Sequence, residues 1–132
     1  MPEGPRNAFQ YSIVRVLPRV ERGEYLNVGI ILMCRERRYL GARIALDEVR
    51  LAAFAPELDL TTLRPHLKAI ERIASGDPSA GPIGRLGLGE RFHWLVAPSS
   101  TMIQSSEVHS GLTDDPAAEL DHLVATLVDS PR

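Results

Sequence analysis

The chain has 132 residues, enough for one domain with a self-sufficient core and too few for a second. Its 44% hydrophobic and 24% charged residues are ordinary for a globular protein, and a formal net charge of −2 gives no global field favouring nucleic acid or an anionic membrane. A single cysteine, Cys34, excludes an internal disulfide and a cysteine-rich zinc cluster.

Residues 1–8 read as a flexible polar arm carrying two prolines, followed by a single domain over 9–130. Residues 9–17 are rich in aromatic and β-branched types and stop at Pro18, which predicts a strand. Arg19 to Tyr25 makes a charged turn around Gly23. Residues 27–33 give the most hydrophobic strand, expected at the centre of a sheet with both faces covered. The longest apolar run, Val28 to Cys34, is far too short for a membrane span, so the expected address is the cytoplasm, with no membrane partner. A reversal at Arg35 to Arg38 and a strand over 39–45 complete a three-stranded meander.

Asp47 can cap a short helix over 48–55, and Thr62 a second over 62–74, with Pro65 in its first turn. Leu63, Leu67, Ile70 and Ala74 of this second helix share one stripe. Residues 76–90, rich in glycine and proline, predict a mobile loop. Strands are expected at 91–97 and 101–105, joined by a turn at 98–100. Asp115 and Pro116 then signal a last helix, with Leu120, Leu123, Val124, Leu127 and Val128 as its buried face. The expectation is an α+β domain, a mostly antiparallel sheet of about five strands covered by two main helices.

The small total charge conceals an uneven distribution. Residues 1–50 carry nine arginines against six acids, whereas 92–132 hold Arg132 against Glu107, Asp114, Asp115, Glu119, Asp121 and Asp129. Lys68 is the only lysine. Genome composition alone can produce such a bias. The functional alternative is that guanidinium forks serve fixed pairing with carboxylate or phosphate, between the chain's two ends or between oppositely charged faces.

Several chemistries lack their residues. The glycine run from Gly81 to Gly89 is followed by Glu90-Arg91 and not by the lysine of a phosphate loop. Lys68 lies mid-helix, away from any pair of acids on strands, which disfavours a restriction-type nuclease centre. No G-x-S-x-G elbow is present, and Ser99, Ser100 and Thr101 read as a turn. Cys34, ending a buried strand, reads as a small hydrophobe.

Two polar clusters remain. The first is Arg15, Arg19, Glu21, Arg22, Glu24 and Asn27 around the first turn. Such mixed charges usually form a solvated network worth little stability, and the alternative is a pocket that grips an anion. Arg15 interrupts an apolar strand and needs a partner, with Glu24 the nearest acid. The second cluster is His93, Gln104, His109, Asp114 and Asp115. On the expected strand His93 faces away from Phe92 and Trp94, and His109 lies in a loop, a commoner place for function. Two imidazoles and an acid suit a transition metal, but no spacing fixes such a site, so no cofactor is expected.

The stretch Tyr11-Ser12-x-x-Arg15-x-x-Pro18-Arg19-Val20-Glu21-Arg22-Gly23-Glu24-x-x-Asn27-Val28-Gly29 resembles the opening of a bacterial family catalogued as domain of unknown function 3037. Phe92-His93-Trp94-Leu95-x-x-Pro98, Gln104, Val108-His109-x-Gly111 and Asp114-Asp115-Pro116 resemble its later half. Ser99 departs from the pattern, where an arginine is expected. The resemblance spans residues 9–128 and brings no activity. It implies a partner, because members are often encoded beside small kinases resembling the HipA toxin type. The leading expectation is therefore a non-enzymatic interaction module, with a HipA-like kinase or a second copy (a homodimer) as partner and no specific nucleic acid. The competing expectation is a small enzyme or anionic-ligand-binding protein whose pocket joins Arg15, Glu24, Asn27, His93 and His109.

Overall fold

A computed structural model describes residues 5–99 and 101–129. The expected meander is present as β1 (Asn7–Val16), β2 (Leu26–Cys34) and β3 (Tyr39–Ile44), in the order β3-β2-β1. Two further strands, β4 (Ile103–Ser105) and β5 (His109–Thr113), pair one after the other along the free edge of β1. All five strands are antiparallel to their neighbours. The molecule is a single α+β domain.

Both faces of β2 are covered, which explains its unbroken apolar run. Ile30, Ile31 and Leu32 are all fully buried. One face packs Val14, Val16, Ile31 and Met33 against helices α1 (Glu48–Phe54), α2 (Leu60–Ala74) and α3 (Leu88–Leu95) through Leu51, Leu67 and Phe92. The other packs Phe9, Ile13, Ile30 and Leu32 against Leu120, Leu123 and Val124 of α4 (Pro116–Leu127). Asp47 and Asp115 cap α1 and α4 as expected, accepting from the N–H groups of Arg50 and Ala118 at 3.0 and 3.2 Å. No helix is long and apolar enough to cross a membrane.

Five expectations need correction, among them that of His109, which is expected in a loop and instead opens β5. The strand expected at 91–97 is α3. Phe92 and Leu95 are buried while Trp94 stays half exposed, a spacing only a helix produces. The residues at 101–105 therefore pair with β1, not with 91–97. The α2 cap is Asp59, whose carboxylate accepts from Thr61 N–H at 3.0 Å and from the Thr62 hydroxyl at 2.9 Å. With α2 starting at Leu60, Pro65 lies in its second turn. The N-terminal arm ends earlier than expected, since Asn7 and Ala8 already belong to β1. Residues 1–4 of that arm, Ser100 of the expected 98–100 turn and residue 130 of the expected domain lie outside the described residues.

Residues 76–90 contain two short 3-10 turns, Pro78–Ala80 and Pro82–Arg85, before α3 begins. Gly84 is buried where any Cβ would lie 2.3 Å from the Asp77 carbonyl oxygen, so only glycine fits. The Arg91 guanidinium reaches back from α3 to the Leu86 carbonyl at 2.7 Å and the Ala74 carbonyl at 3.4 Å. That tie fastens the segment to the end of α2.

Candidate functional site

An extra residue in β2 sets the geometry of the site. Val14 is opposite Gly29, but Arg15 is opposite Asn27, so Val28 is the bulged residue. The bulge reverses the inside-outside alternation of β2. Leu26 and Val28 join the core beneath α2 and α3, whereas Asn27 turns to the α4 side. Its amide there donates to the Leu127 carbonyl at 3.1 Å, fastening the end of α4.

The register then places Asn27, Arg15 and Gln104 side by side across β2, β1 and β4. Directly opposed residues share a face of the sheet. Four residues along β1, roughly 13 Å away at about 3.3 Å per residue, Tyr11 is opposite His109, and their rings lie 5.1 Å apart. Helix α4 packs mainly over β2 and β3. The β1–β4–β5 half of the same face carries half-buried Tyr11, Arg15, Gln104 and His109. Members of both sequence clusters thus lie along one partly open strip.

Arg15 is held in an unusual way. Its guanidinium carbon lies 4.1 Å over the ring of Tyr25, which is 46% exposed. Such a contact contributes about 0.5–1 kcal/mol where water has access. Its Nε is buried without a hydrogen-bond partner, as is Oδ1 of the neighbouring Asn27. The Arg15–Glu24 pairing expected from sequence does not form. Glu24 instead accepts from Arg22 Nε and Nη2 at 2.7 and 3.1 Å, a fork geometry fixed by the tight turn at Val20–Arg22. The hydrogen bond with Glu24 raises the Arg22 pKa, and the same bond holds the Glu24 carboxyl below its ordinary range. Arg19 has Glu57 at 3.8 Å, with both side chains exposed. Glu21 is also exposed on this turn, so Arg19, Glu21, Arg22 and Glu24 form a solvated rim around the row.

His93 is elsewhere. It is exposed on α3, which packs against the opposite face of the sheet from His109. The pocket expected to join Arg15, Glu24, Asn27, His93 and His109 is therefore not assembled: helix formation carries His93 away, and Arg22 takes Glu24. Among the described residues no three His, Cys, Asp or Glu side chains gather as a metal site. Cys34 is fully buried at the end of β2, its Sγ 3.5 Å from the Ala8 carbonyl.

A family described as protein of unknown function (DUF3037) matches residues 11–128, from the middle of β1 through α4. The chain belongs to the DUF3037 family. No curated protein and no solved structure matches it. The DUF3037 match contains the whole row of Asn27, Arg15 and Gln104 together with Tyr11, Tyr25 and His109. Sequence reasoning missed the two tyrosines as site residues. Tyr25 keeps the alternation of Asn27, and Tyr11 that of Arg15, a signal legible only once the strands are correctly bounded.

A concavity of this DUF3037 chain lies on the other face. A groove of about 710 Å³ runs between α2 and residues 97–105, lined by His66, Ile70, Ile73, Trp94, Met102 and Ile103 among others. Ser99 is on its wall, with its hydroxyl 2.9 Å from that of Thr101.

Proposed function

We propose that this domain is a non-enzymatic interaction module that docks another protein on the β1–β4–β5 half of its sheet. One observation carries the reading: α4 packs mainly over β2 and β3, and the strip beside it holds aromatic rings and a stacked arginine at the surface. Aromatic and arginine side chains with one buried and one open side are the usual anchors of protein interfaces. The rim of Arg19, Glu21, Arg22 and Glu24 supplies the polar border that such a patch needs.

The partner implied by the family is a kinase-like protein encoded nearby. Co-expression of the chain with a HipA-like kinase of the kind encoded beside members of the family, followed by gel filtration, tests the reading. Co-elution at micromolar concentration is expected. Separate elution overturns it.

A further inference from the structure

We propose that Arg15 is the anchor of that docking surface, and that it seats a carboxylate from an acidic side chain of the partner protein. The inference rests on the docking reading and adds the chemistry of its central contact. Arg15 has no acidic or hydrogen-bonding partner among the described residues, although the turn that follows β1 carries two glutamates. Glu24 is taken by Arg22 and Glu57 lies against Arg19. The amides beside it are already engaged, Asn27 with the Leu127 carbonyl at 3.1 Å and Gln104 with the Thr101 carbonyl at 2.8 Å. A cation with a desolvated, unpaired Nε weakens the fold, and an apolar side chain of similar length would fill the same space without that cost.

What the arrangement does provide is pre-organisation. The ring of Tyr25 holds the guanidinium plane in place, so little side-chain entropy remains to be lost when a ligand arrives. A planar fork of fixed orientation matches a carboxylate with two parallel hydrogen bonds. The surroundings favour a single carboxylate over a polyanion. The adjoining turn sets Arg19 and Arg22 against Glu21 and Glu24 and so adds no net positive charge, and one unpaired guanidinium gives little of the counterion release on which nucleic-acid binding depends.

The test uses the full chain labelled with ¹⁵N, following the Arg15 Nε–H and the Tyr25 ring by NMR. The probes are the peptide Ac-Ala-Ala-Glu-Ala-Ala-NH₂, its glutamine analogue, inorganic phosphate and a twelve-nucleotide oligouridylate. The glutamate peptide is expected to shift both signals saturably, the glutamine peptide at least tenfold more weakly. Arg15→Met is expected to abolish the response, and Arg15→Lys to weaken it about tenfold because the fork is lost. Should Arg15→Met fail to fold, Tyr25→Leu removes the supporting ring and must also weaken the glutamate peptide. Equal response to the two peptides, an unchanged response in these variants, or tighter saturation by phosphate or oligouridylate overturns the proposal. The two readings fail separately. Absence of the wild-type kinase complex removes the docking reading, whereas a complex that survives Arg15→Met undiminished removes only the carboxylate anchor.

Discussion

Ser12 is fully buried between β2 and the junction of β4 with β5. Its hydroxyl donates to the Ser106 carbonyl at 2.7 Å, while Ser106 Oγ accepts from Ile13 N–H at 2.9 Å and donates to the Glu107 carbonyl at 2.8 Å. These bonds satisfy the backbone where the edge changes from one strand to the next. Ser12→Ala leaves the Ser106 carbonyl without this donor and should lower stability by about 1–2 kcal/mol, measured as a lower urea midpoint at unchanged slope. Asp59 acts by charge as well. Hydrogen bonds from the Thr61 and Thr62 hydroxyls, then the Thr61 N–H, hold its carboxyl below its ordinary value of 3.8. A depressed folded pKa contributes stability that is present above 3.8 and lost as pH falls through the folded value. Asp59→Asn keeps a capping oxygen without a titrating proton. Thermal midpoints recorded from neutral pH down through the carboxylate range should therefore fall less steeply with acid in the variant than in the wild type.

At the scale of the element, α3 gives the sharpest contrast between sequence and structure. The run Arg91-Phe-His-Trp-Leu-Val-Ala97 is dense in aromatic and β-branched residues, which is why it reads as a strand. Burial decides otherwise: Leu88, Phe92 and Leu95 face the core at helical spacing, and Glu90 accepts from the Gly87 N–H at 3.3 Å to start the helix. Phe92→Ala should cost about 3–5 kcal/mol of unfolding free energy because it empties a site only 1% exposed. His93→Ala should stay within about 0.5 kcal/mol and Trp94→Ala should cost clearly less than Phe92→Ala, since His93 faces solvent and Trp94 is half exposed. In a strand, Phe92 and Trp94 would share a face and suffer alike. Where signals were local they were legible: the meander, the caps Asp47 and Asp115, and the stripe of α4 all follow from residues within one turn or one strand. The α2 cap lies three residues before the one expected, because Thr62 has the right side chain for a cap and only the fold shows Asp59 accepting from it.

For the whole molecule the decisive relations are long-range, and these the sequence hides. β5 contains Gly111, a type depleted in strands, and Thr113 is the one β-branched residue of its five, which is poor strand composition. Its glycine is required by packing, because a Cβ there would lie 2.7 Å from the Phe9 ring. Gly111→Ala must displace that ring and should destabilise by about 1–3 kcal/mol, read by urea unfolding. The candidate site was legible as residue types and not as an arrangement. Arg15, Asn27 and Gln104 were each singled out, but their alignment depends on the Val28 bulge and on pairing between residues some ninety positions apart. Periodicity carries no information about such a pairing, nor about Arg22 claiming Glu24.

That same pairing bears on how the protein is made. At the β3 edge Glu71 of α2 accepts the Ile44 N–H at 2.8 Å, from 27 residues further along the chain. The β1 edge must wait for residues 103–113. At roughly 5–20 residues per second, the interval between completing β3 and completing β5 lasts on the order of several seconds. Throughout that time the growing chain presents the outer edge of β1 without its native strands. An unpaired edge is a template for any other extended chain. Nascent chains halted at residue 100 should therefore cross-link to chaperones and aggregate on release, while chains extended through α4 should not. The hazard is greatest in crowded translation, and it ends when the last third of the molecule arrives to occupy the edge.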